Sequence, residues 1–480
     1  MSEAITDPER SHDVFGAASA RLHRVFAAQK TAYGHAPYLS LEARQNSLLR
    51  LEKMLLAHQD ALADAITQDY GVRCRQETKF TEIFMAIESL RYARKNLKKM
   101  MKPQRRKVSI WFKGASNRVI PQPKGIVGIV TPWNYPLFLS ISPLASALAA
   151  GNRCMVKLAT NSQHLCHLLN ALVSAEFDED MLCFLPDVKA SAFSSLPFDH
   201  LVFTGSAETG KTVMRAAADN LTPVTLELGG KSPTILCDDF DVTLAADRIL
   251  HYKYINAGQT CIAPDYLFIP ENKLEDFVTA AKSGVARRYR DISDGNYTSL
   301  IDMKAFARLQ ATLEDAEQKG AKLIHLLPGT AQDAKSCKIS PHLALHVTED
   351  MIIMKDEIFG PILPIMTYRN LDDVLTYIND RARPLALYVF TNDRKIQERV
   401  IYNTLSGGVV INDCMQHVAQ HDMPFGGIGH SGMGQYHGPE GFVEMSKMRP
   451  VFKQWRFPGS ALLQPPYGKL FDVIYKIMTR

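Results

Sequence analysis

The chain has 480 residues, of which 46% are hydrophobic and 22% are charged, with a formal net charge of +5. This length exceeds one compact core and predicts about three domain-sized units, while the ordinary composition excludes disordered and collagen-like classes. A charge this small does not by itself indicate a nucleic-acid partner, and we predict none.

The eight cysteines are scattered and form no C-x-x-C pair. Neither a zinc site nor a disulfide framework is therefore expected, and we predict no bound metal. The N-terminal residues lack a basic segment followed by an apolar core, and no apolar run reaches the ~18 residues of a membrane-spanning helix. Together with the free cysteines, these features predict a cytoplasmic protein.

The first hundred residues predict helices. Leucines and alanines recur at steps of three and four up to Gly71, and a second helical pattern stops at Pro103. The stretch 91–107 holds nine basic residues and no acid. Its helical spacing favours a solvated face over a nucleic-acid or membrane surface. The segment 107–124 then predicts a β-hairpin with a turn near Gly114.

From residue 124 the pattern changes to short apolar runs, "GIVGIV", "CMVKL", "HLVFTG" and "PTILC", separated by stretches with helical spacing. This alternation predicts βαβ units around a parallel sheet that is covered on both faces, hence an α/β fold. A second mixed region runs from about 227 to 429.

The segment "LVFTGSAETGKTVM" contains Gly205 and Gly210 followed by Lys211 and Thr212, a full match to the phosphate-binding P-loop pattern. Taken alone, this pattern predicts a nucleotide triphosphatase. The candidate acidic strand "PTILCDD" follows within about 25 residues of Lys211, which is close for such an enzyme.

Three residues stand out as candidates for chemistry. Cys261 follows the polar, flexible run Gly-Gln-Thr, which is typical of an exposed turn, although a lone cysteine is usually a buried apolar residue. Glu227 ends an apolar strand and precedes two glycines, which favours a cleft and a raised pKa over an outward-facing edge. Asn134 lies in the rigid "TPWNYP" loop, where its amide can donate to an oxyanion, although Asn in loops mostly serves turns.

Taken together, "TPWNYP", "FTGSAETG", "ELGGKSP", "GQTC", "EIFGPILPI" and "PFGGIGHSGMG" resemble the NAD(P)-dependent aldehyde dehydrogenase superfamily, in order and over nearly the whole chain. The motifs "GQTCIAPDY" and "SGMGQYHG" look like its class 3 branch. The early "YGHAPYLSLEARQNSLLRLEKML" and the late "LLQPPYGKLFDVIYK" are most similar to its coniferyl aldehyde group.

The resemblance implies roles for individual residues. Cys261 would be the nucleophile, Asn134 and the Cys261 backbone N–H would hold the oxyanion, and Glu227 would activate water to hydrolyse a thioester. The implied cofactor contacts are Thr131, Trp133, Lys157, Thr160, Gly205, Ser206, Gly210, Leu228, Gly229, Glu357 and Phe359. If the segment belongs to such a cofactor domain, Lys211 and Thr212 complete the P-loop pattern by coincidence.

One position departs from the family pattern. The family commonly has a glutamate that binds the ribose 2′-hydroxyl shortly after the strand ending near Lys157, and Thr160 stands there instead. The loss of a carboxylate removes a repulsion against a 2′-phosphate. We therefore expect the cofactor to be NAD or NADP, with use of both.

The resemblance also implies the architecture. We expect a Rossmann-like cofactor domain (1–106 and 125–227), an α/β catalytic domain (228–429), and a small β bridging element with a C-terminal tail (107–124 and 430–480) that joins a homodimer. The tail segment "KLFDVIYKIM" is amphipathic and has three open roles: capping the substrate tunnel, touching a membrane surface, or packing on the partner subunit.

The predicted reaction is oxidation of hydrophobic aldehydes, either aromatic or medium- to long-chain, to carboxylic acids. A CoA-acylating enzyme is the nearest alternative, and Glu227 argues against it because acylating relatives generally lack that base. A catalytically silent structural relative is a further alternative, which the presence of Cys261, Glu227 and Asn134 disfavours.

Overall fold

Parallel strands and covering helices alternate through most of the chain, as the sequence predicts. A computed structural model describes residues 8–456, 460 and 463–479. Residues 1–7, 457–459, 461–462 and 480, which fall in the predicted cofactor domain and tail, lie outside the described residues.

The strands, in chain order, are β1 (Gln104–Arg106), β2 (Ser116–Pro123), β3 (Ile126–Thr131), β4 (Arg153–Leu158), β5 (Leu182–Phe184), β6 (His200–Thr204), β7 (Val224–Glu227), β8 (Pro233–Leu236), β9 (Tyr266–Pro270), β10 (Lys322–His325), β11 (Gln332–Asp333), β12 (Lys338–Ile339), β13 (His342–Leu345), β14 (Ile362–Tyr368), β15 (Ala386–Phe390), β16 (Gly408–Ile411), β17 (Gly432–Met433) and β18 (Ser446–Lys453).

The α-helices are α1 (Pro8–His35), α2 (Leu41–Ala57), α3 (Gln59–Tyr70), α4 (Arg75–Thr78), α5 (Met85–Met100), α6 (Phe138–Ala150), α7 (Gln163–Glu176), α8 (Ala190–Ser194), α9 (Ala207–Ala218), α10 (Val242–Tyr254), α11 (Leu274–Arg288), α12 (Met303–Gln318), α13 (Ile352–Lys355), α14 (Leu371–Asn379), α15 (Arg394–Asn403), α16 (Gly438–Glu444) and α17 (Lys469–Met478). A π-helical segment, Lys79–Phe84, joins α4 to α5.

The N-terminal helices follow the predicted pattern with one break. The predicted helix that ends at Gly71 is divided into α2 and α3 at His58, whose φ of −117° and ψ of 22° leave the helical region. Gly71 ends α3 with a φ of 80°, a conformation that glycine adopts without a Cβ penalty. The helix α5 ends three residues before Pro103.

The first sheet has the order β17-β7-β6-β3-β4-β5, and its strands are parallel except for β17. The strands β3, β4 and β6 are buried along their whole length, which explains their unbroken apolar runs. The chain proceeds from β3 to β4 and β5 on one side, and then returns to β6 on the other side of β3. The carboxyl ends of β3 and β6 therefore form the topological switch point where open α/β sheets bind ligands.

The second sheet has the order β10-β13-β14-β9-β8-β15-β16, with an antiparallel pair only between β10 and β13. The chain enters this sheet at β8, shortly after the two glycines that follow β7. The loop between α10 and β9, which contains Cys261, belongs to this half of the chain.

The third sheet is antiparallel, with the order β1-β2-β18. The predicted hairpin begins earlier than 107, since β1 covers Gln104–Arg106, and a loop of residues 107–115 leads to β2. The strand β18 pairs with all of β2, from Ser446 opposite Pro123 to Lys453 opposite Ser116. This contact joins segments more than 300 residues apart, so no local pattern signals it.

The basic stretch and the tail differ in their surroundings. Arg91 and Arg94 both form ion pairs with Glu52 of α2, at 2.8 and 2.9 Å, as expected of a helix face with charged neighbours.

The C-terminal helix α17 leaves Leu470 and Ile477 about three-fifths exposed. No helix in the described part of the chain is long and apolar enough to cross a membrane.

Candidate active site

A cavity of about 730 Å³ lies at the carboxyl ends of β3, β6 and β7. Loops from both large sheets and the first turns of α9, α12 and α13 surround it. Its lining residues are Pro132, Trp133, Asn134, Thr204, Gly205, Ser206, Glu227, Leu228, Gly229, Cys261, Ile301, Asp302, Lys304, Ala305, Arg308, Thr312, Ile352, Ile353, Asp356, Glu357, Ile358 and Phe359.

The loop that carries Cys261 begins with a left-handed turn. Asn256 and Ala257 both have a φ of 51°, and Gly258 has a φ of 74°. A Cβ on Gly258 would overlap the carbonyl of Gly360, so this position accommodates glycine alone. The buried side chain of Gln259 then anchors the loop by donating to Asn256 O at 3.0 Å and to Ser299 O at 3.1 Å.

Cys261 lies in a turn and is partly exposed, as predicted, whereas most other cysteines are buried. Burial of the thiol raises its pKa to about 12, with further contributions from the carboxyl groups of Glu357 and Glu227. Because the thiolate is the nucleophilic form, a raised pKa means that the thiol must lose its proton before it attacks a substrate. Cys337 is also partly exposed but does not line the cavity.

Glu227 ends β7 with 1% of its surface exposed, so the sequence prediction of a buried carboxyl at a strand end agrees with the structure. Neither of its oxygens has a partner within hydrogen-bond distance among the described residues. Burial raises its pKa well above the ordinary value, and the backbone N–H of Gly427, which lies near the carboxyl group without forming a hydrogen bond of ordinary geometry, offsets this only in part. A carboxyl with these properties suits a general base that acts near neutral pH.

Asn134 is held from several directions. Its amide nitrogen donates to Gln259 O at 3.2 Å, which ties the "TPWNYP" loop to the cysteine loop. Its backbone carbonyl accepts hydrogen bonds from Tyr70 and Arg73, each at 2.9 Å. Because the amide carries two N–H groups, one remains for a ligand in the cavity that Asn134 lines.

Glu357 meets the glycine pair that follows Glu227. A Cβ on Gly229 would overlap the Glu357 carboxyl group. Burial, and to a smaller extent nearby Asp265, raises the pKa of Glu357 to about 8, while the backbone N–H of Gly230 acts in the opposite direction. The ring of Trp133 contacts Phe359 edge-on, with centroids 5.4 Å apart.

The helix α9 begins at the cavity. Ser206 caps it by accepting the N–H of Thr209 at 3.3 Å, and both Ser206 and Gly205 line the cavity. Gly210 packs closely on Leu228, whose Cδ2 would lie 2.7 Å from a Cβ at this position and would have to shift. A helix N-terminus of this kind attracts phosphate groups.

The P-loop pattern does not form a P-loop. Residues 207–212 are already helical, so their backbone N–H groups are not arranged as a cradle around phosphates. Lys211 is exposed and pairs with Glu208 at 3.5 Å on the same helix. Thr212 donates to the Glu208 carbonyl at 3.3 Å.

Four predicted cofactor contacts do not line this cavity. Gly210 is one of them and lies inside α9, and the other three lie near the ends of β3 and β4. Lys157 is buried and donates to Leu158 O at 2.7 Å, and burial lowers its pKa. Thr160 is exposed on the turn after β4. Thr131 ends β3 with its hydroxyl buried and unpaired among the described residues. All three lie at the same edge of the first sheet as the cavity, because Thr131 pairs with Leu158.

The sequence did not predict any contribution of α12. Lys304 and Arg308 line the cavity from its first turns, one helical turn apart. Arg308 donates to Phe359 O at 3.3 Å, and burial lowers the pKa of its guanidinium. The sequence did contain a sign of this contribution, because the two cations lie four residues apart just after a helix-capping aspartate. Asp302 caps α12 by accepting the Ala305 N–H at 2.8 Å.

Comparisons with known proteins agree with this geometry. The model of the aldehyde dehydrogenase family matches residues 6–451. A probable coniferyl aldehyde dehydrogenase of Pseudomonas aeruginosa is 46% identical over 464 residues, which cover 96% of this chain and 97% of that protein. A coniferyl aldehyde dehydrogenase of Pseudomonas sp. HR199 is 43% identical over 445 residues, covering 92% of both proteins.

The solved structures agree as well. The substrate-bound structure of Staphylococcus aureus AldH superimposes with a TM-score of 0.89 at 33% identity, over 95% of this chain and 99% of that one. The fold, the matched length and the identities confirm the predicted family and exclude the P-loop interpretation. The chain belongs to the aldehyde dehydrogenase family and is an NAD(P)-dependent aldehyde dehydrogenase.

Proposed function

We propose that the enzyme oxidises aromatic aldehydes of the coniferyl type to carboxylic acids, with Cys261 as nucleophile, Asn134 as oxyanion donor and Glu227 as general base. The observation that carries this proposal is that the three side chains, from two loops and the end of β7, line one cavity. A nucleophile, an amide donor and a buried base together meet the requirements of acyl transfer through a thioester.

In the first step the Cys261 sulfur bonds to the aldehyde carbon, and the thiol proton passes to a base. Glu227 lies in the same cavity with a raised pKa, and we assign it to the later hydrolysis step, so water that enters the cavity accepts the thiol proton. The oxygen of the resulting thiohemiacetal accepts from the free N–H of the Asn134 amide and from the Cys261 backbone N–H.

The cavity suits a dinucleotide. The N-terminus of α9 offers a site for a pyrophosphate, and Gly229 leaves the room that Glu357 occupies beside it. Glu357 would hold the nicotinamide ribose, with Trp133 and Phe359 packed nearby. Lys157 and Thr160 would hold the adenosine ribose at the end of β4. When bound, the cofactor supplies the acceptor for the hydride of the thiohemiacetal.

Glu227 completes the reaction by taking a proton from a water molecule that attacks the thioester carbon. The carbon–sulfur bond then breaks, Cys261 is regenerated and the carboxylic acid leaves. Because Glu227 supplies a base inside the cavity, water is the expected acyl acceptor rather than CoA.

Aromatic and aliphatic side chains cluster beside the cysteine loop. Tyr135 shares a 2.8 Å hydrogen bond with Thr260, the residue before Cys261. It packs in one apolar cluster with Phe138 and Leu139, and Val418 from the turn before "PFGGIG" packs against the same cluster. These contacts support a hydrophobic or aromatic aldehyde.

Unpaired polar groups favour an aromatic substrate over a fatty one. Tyr436 is close to Cys261 and Glu227: burial raises the pKa of its hydroxyl, and these two groups raise it further. Its ring contacts Phe425, with centroids 5.7 Å apart, and Phe425 contacts His417 at the same distance. Both ring nitrogens of His417 and the Tyr436 hydroxyl are buried without a partner in the described structure. Coniferyl aldehyde carries a phenolic hydroxyl and a methoxy group that can pair with them, whereas a fatty chain cannot.

A substrate panel tests the proposal. NAD(P)H formation is followed with coniferaldehyde, cinnamaldehyde, benzaldehyde, hexanal and decanal, and the products are identified as free acids or CoA esters. We expect the highest kcat/KM with coniferaldehyde and free acid as product. A higher kcat/KM with decanal would contradict the aromatic assignment, and a dependence on CoA would contradict hydrolysis.

The chain is also proposed to form a homodimer through the third sheet. Next to β1 and on β18 this sheet exposes large apolar side chains, of which Ile110 is 75% exposed and Phe452 is 50% exposed. The rings of Phe112 and Phe452 are in edge-on contact and extend the same surface. Mass measurement by light scattering tests this proposal, and Phe452→Glu should shift the mass from dimer to monomer.

A further inference from the structure

One asparagine connects the two loops of the active site. The Asn256 side-chain nitrogen donates to the Asn134 carbonyl at 3.1 Å and to the Gln259 carbonyl at 3.2 Å. The Asn134 amide donates to that same Gln259 carbonyl. The relative position of Asn134 and the Cys261 loop therefore depends on where Asn256 lies.

Asn256 occupies a strained backbone conformation. It and Ala257 have φ and ψ values near 51° and 32°, in the left-handed region that residues with a Cβ rarely adopt. Two successive residues in this region persist only where the surrounding structure determines them. The question is then which contacts hold this turn.

The carboxyl group of Glu77 supplies such a contact from a distant part of the chain. Its Oε2 accepts the Asn256 backbone N–H at 3.1 Å and the Thr298 hydroxyl at 3.1 Å. Thr298 in turn accepts the Cys74 backbone N–H at 3.3 Å, which ties it to the segment that carries Glu77. Burial raises the pKa of Glu77 to about 7.

The same segment contacts the other loop. Arg73 donates to the Asn134 carbonyl at 2.9 Å and forms a buried ion pair with Glu82 at 3.0 Å. Glu82 accepts the Leu137 backbone N–H at 2.7 Å, where the "TPWNYP" loop enters α6. None of Arg73, Glu77 and Glu82 is among the residues that line the cavity, so they do not touch the reacting atoms.

We propose that Glu77 is a positioning residue for acylation: by holding the Asn256 turn it sets the oxyanion-binding amide of Asn134 against the Cys261 thiol. This inference rests on the proposed roles of Cys261 and Asn134. Removal of the Glu77 acceptor would let the turn relax, and misplacement of an oxyanion donor slows bond formation at sulfur more than it weakens substrate binding.

Three substitutions separate position from charge. Glu77→Ala removes the acceptor, Glu77→Asp keeps the charge but shortens the side chain by one methylene, and Glu77→Gln keeps an oxygen acceptor at the same distance without the charge. The control is Asp239→Ala, since Asp239 also accepts one hydroxyl, of Thr391 at 2.8 Å, together with the backbone N–H groups of Asn392 at 2.6 Å and Asp393 at 3.0 Å, and does not line the cavity.

The readouts are the pre-steady-state burst of NAD(P)H with coniferaldehyde, its KM, the alkylation rate of Cys261 by iodoacetamide, and Tm. We expect Glu77→Ala and Glu77→Asp to slow the burst by about tenfold or more with little change in KM, and Glu77→Gln to restore it to within about threefold of wild type. Asp239→Ala should lower Tm without slowing the burst. Since Glu77→Asp keeps the buried charge, it provides the test if Glu77→Ala does not fold.

The positioning role would be overturned if Glu77→Asp showed a wild-type burst rate. A slow burst in Glu77→Gln beside a normal burst in Glu77→Asp would further show that the charge matters and the position does not. Equal slowing in the Glu77 and Asp239 variants would also overturn it, because loss of stability would then explain both. Cys261→Ala distinguishes this failure from that of the proposed function: oxidation by that variant would refute the thioester mechanism whatever Glu77 does.

Discussion

Gly229 and the carboxyl group of Glu357 are in such close contact that any Cβ on the glycine would overlap the carboxyl oxygens. The backbone N–H of the second glycine, Gly230, favours the ionised form of the same carboxyl group and so lowers its pKa. The glycine pair after β7 therefore leaves room for the Glu357 carboxyl group and also lies where the chain passes from the first sheet to the second. Its role can be tested through the cofactor.

Gly229→Ala should displace Glu357 and raise the KM for the cofactor by about tenfold, with a smaller change in the KM for the aldehyde, since the loss of one hydrogen bond to a buried carboxyl group has about this effect. Gly295→Ala is the control, because a Cβ at Gly295 meets no atom within 4 Å. Steady-state kinetics at saturating aldehyde measure both variants. An unchanged cofactor KM in Gly229→Ala would show that Glu357 does not bind the ribose.

Cys261→Ala should abolish aldehyde oxidation, because no other cysteine among the cavity-lining residues can replace the nucleophile. Cys337→Ala is the matched control: it removes the other partly exposed thiol, which lies outside the cavity. NAD(P)H formation with coniferaldehyde should remain near wild type in the control. Substantial oxidation by the Cys261→Ala enzyme would refute the mechanism.

Glu227→Gln should keep a burst of NAD(P)H that matches the number of active sites, followed by turnover slowed about hundredfold or more, because the base is needed to hydrolyse the thioester. Stopped-flow absorbance resolves the two phases. Loss of the burst together with turnover would show that Glu227 is required earlier, to take the proton of the Cys261 thiol.

The raised pKa of Glu227 sets the sign of two pH effects. Only its ionised form is a base, so wild-type turnover should rise with pH through the raised pKa, and Glu227→Gln should lack this rise.

The folded state binds the Glu227 proton more tightly than the unfolded state, so the contribution of this group to stability is present at low pH and is lost as pH rises through the folded pKa. Glu227→Gln, which stays neutral, should therefore have a higher Tm than wild type at pH 9, with a smaller difference at pH 5.

His417→Leu should lower kcat/KM for coniferaldehyde about tenfold more than for cinnamaldehyde, because only the former carries ring hydroxyl and methoxy groups that need a polar partner. Burial lowers the pKa of His417 to about 4, so its ring is neutral and offers one donor and one acceptor at neutral pH. The comparison of the two aldehydes on one variant controls for damage to folding. Equal losses for both would contradict recognition of the ring substituents.

Thr160 tests the choice of cofactor. It is exposed after β4 and carries no charge, so a 2′-phosphate would meet no carboxylate at this position, and we expect kcat/KM with NADP to be within about tenfold of that with NAD. Thr160→Glu should selectively weaken NADP, whereas the neutral Thr160→Gln should not. A wild-type preference for NAD above about a hundredfold would show that other residues exclude the phosphate.

Local sequence determined the elements and the chemistry. The apolar runs of β3, β4 and β6 predict buried strands because each residue in them is enclosed on both faces of the sheet. The short motifs around Cys261, Glu227 and Asn134 predict a nucleophile, a base and an amide donor, since each of these functions needs a particular residue type in a particular local setting.

Tertiary structure alone decided how these motifs are held. The pairing of Gly432 with Glu227, the cations Lys304 and Arg308 in the cavity, and the bond from Glu77 to Asn256 join segments far apart in the chain. Such contacts leave no periodic pattern, because each of them depends on which surfaces meet after the chain collapses rather than on neighbouring residues. The P-loop pattern at Gly205 misleads for the same reason. The pattern is a local run of residues, but α9 begins at Ala207, directly after Ser206, so these residues form a helix instead of a phosphate-binding loop.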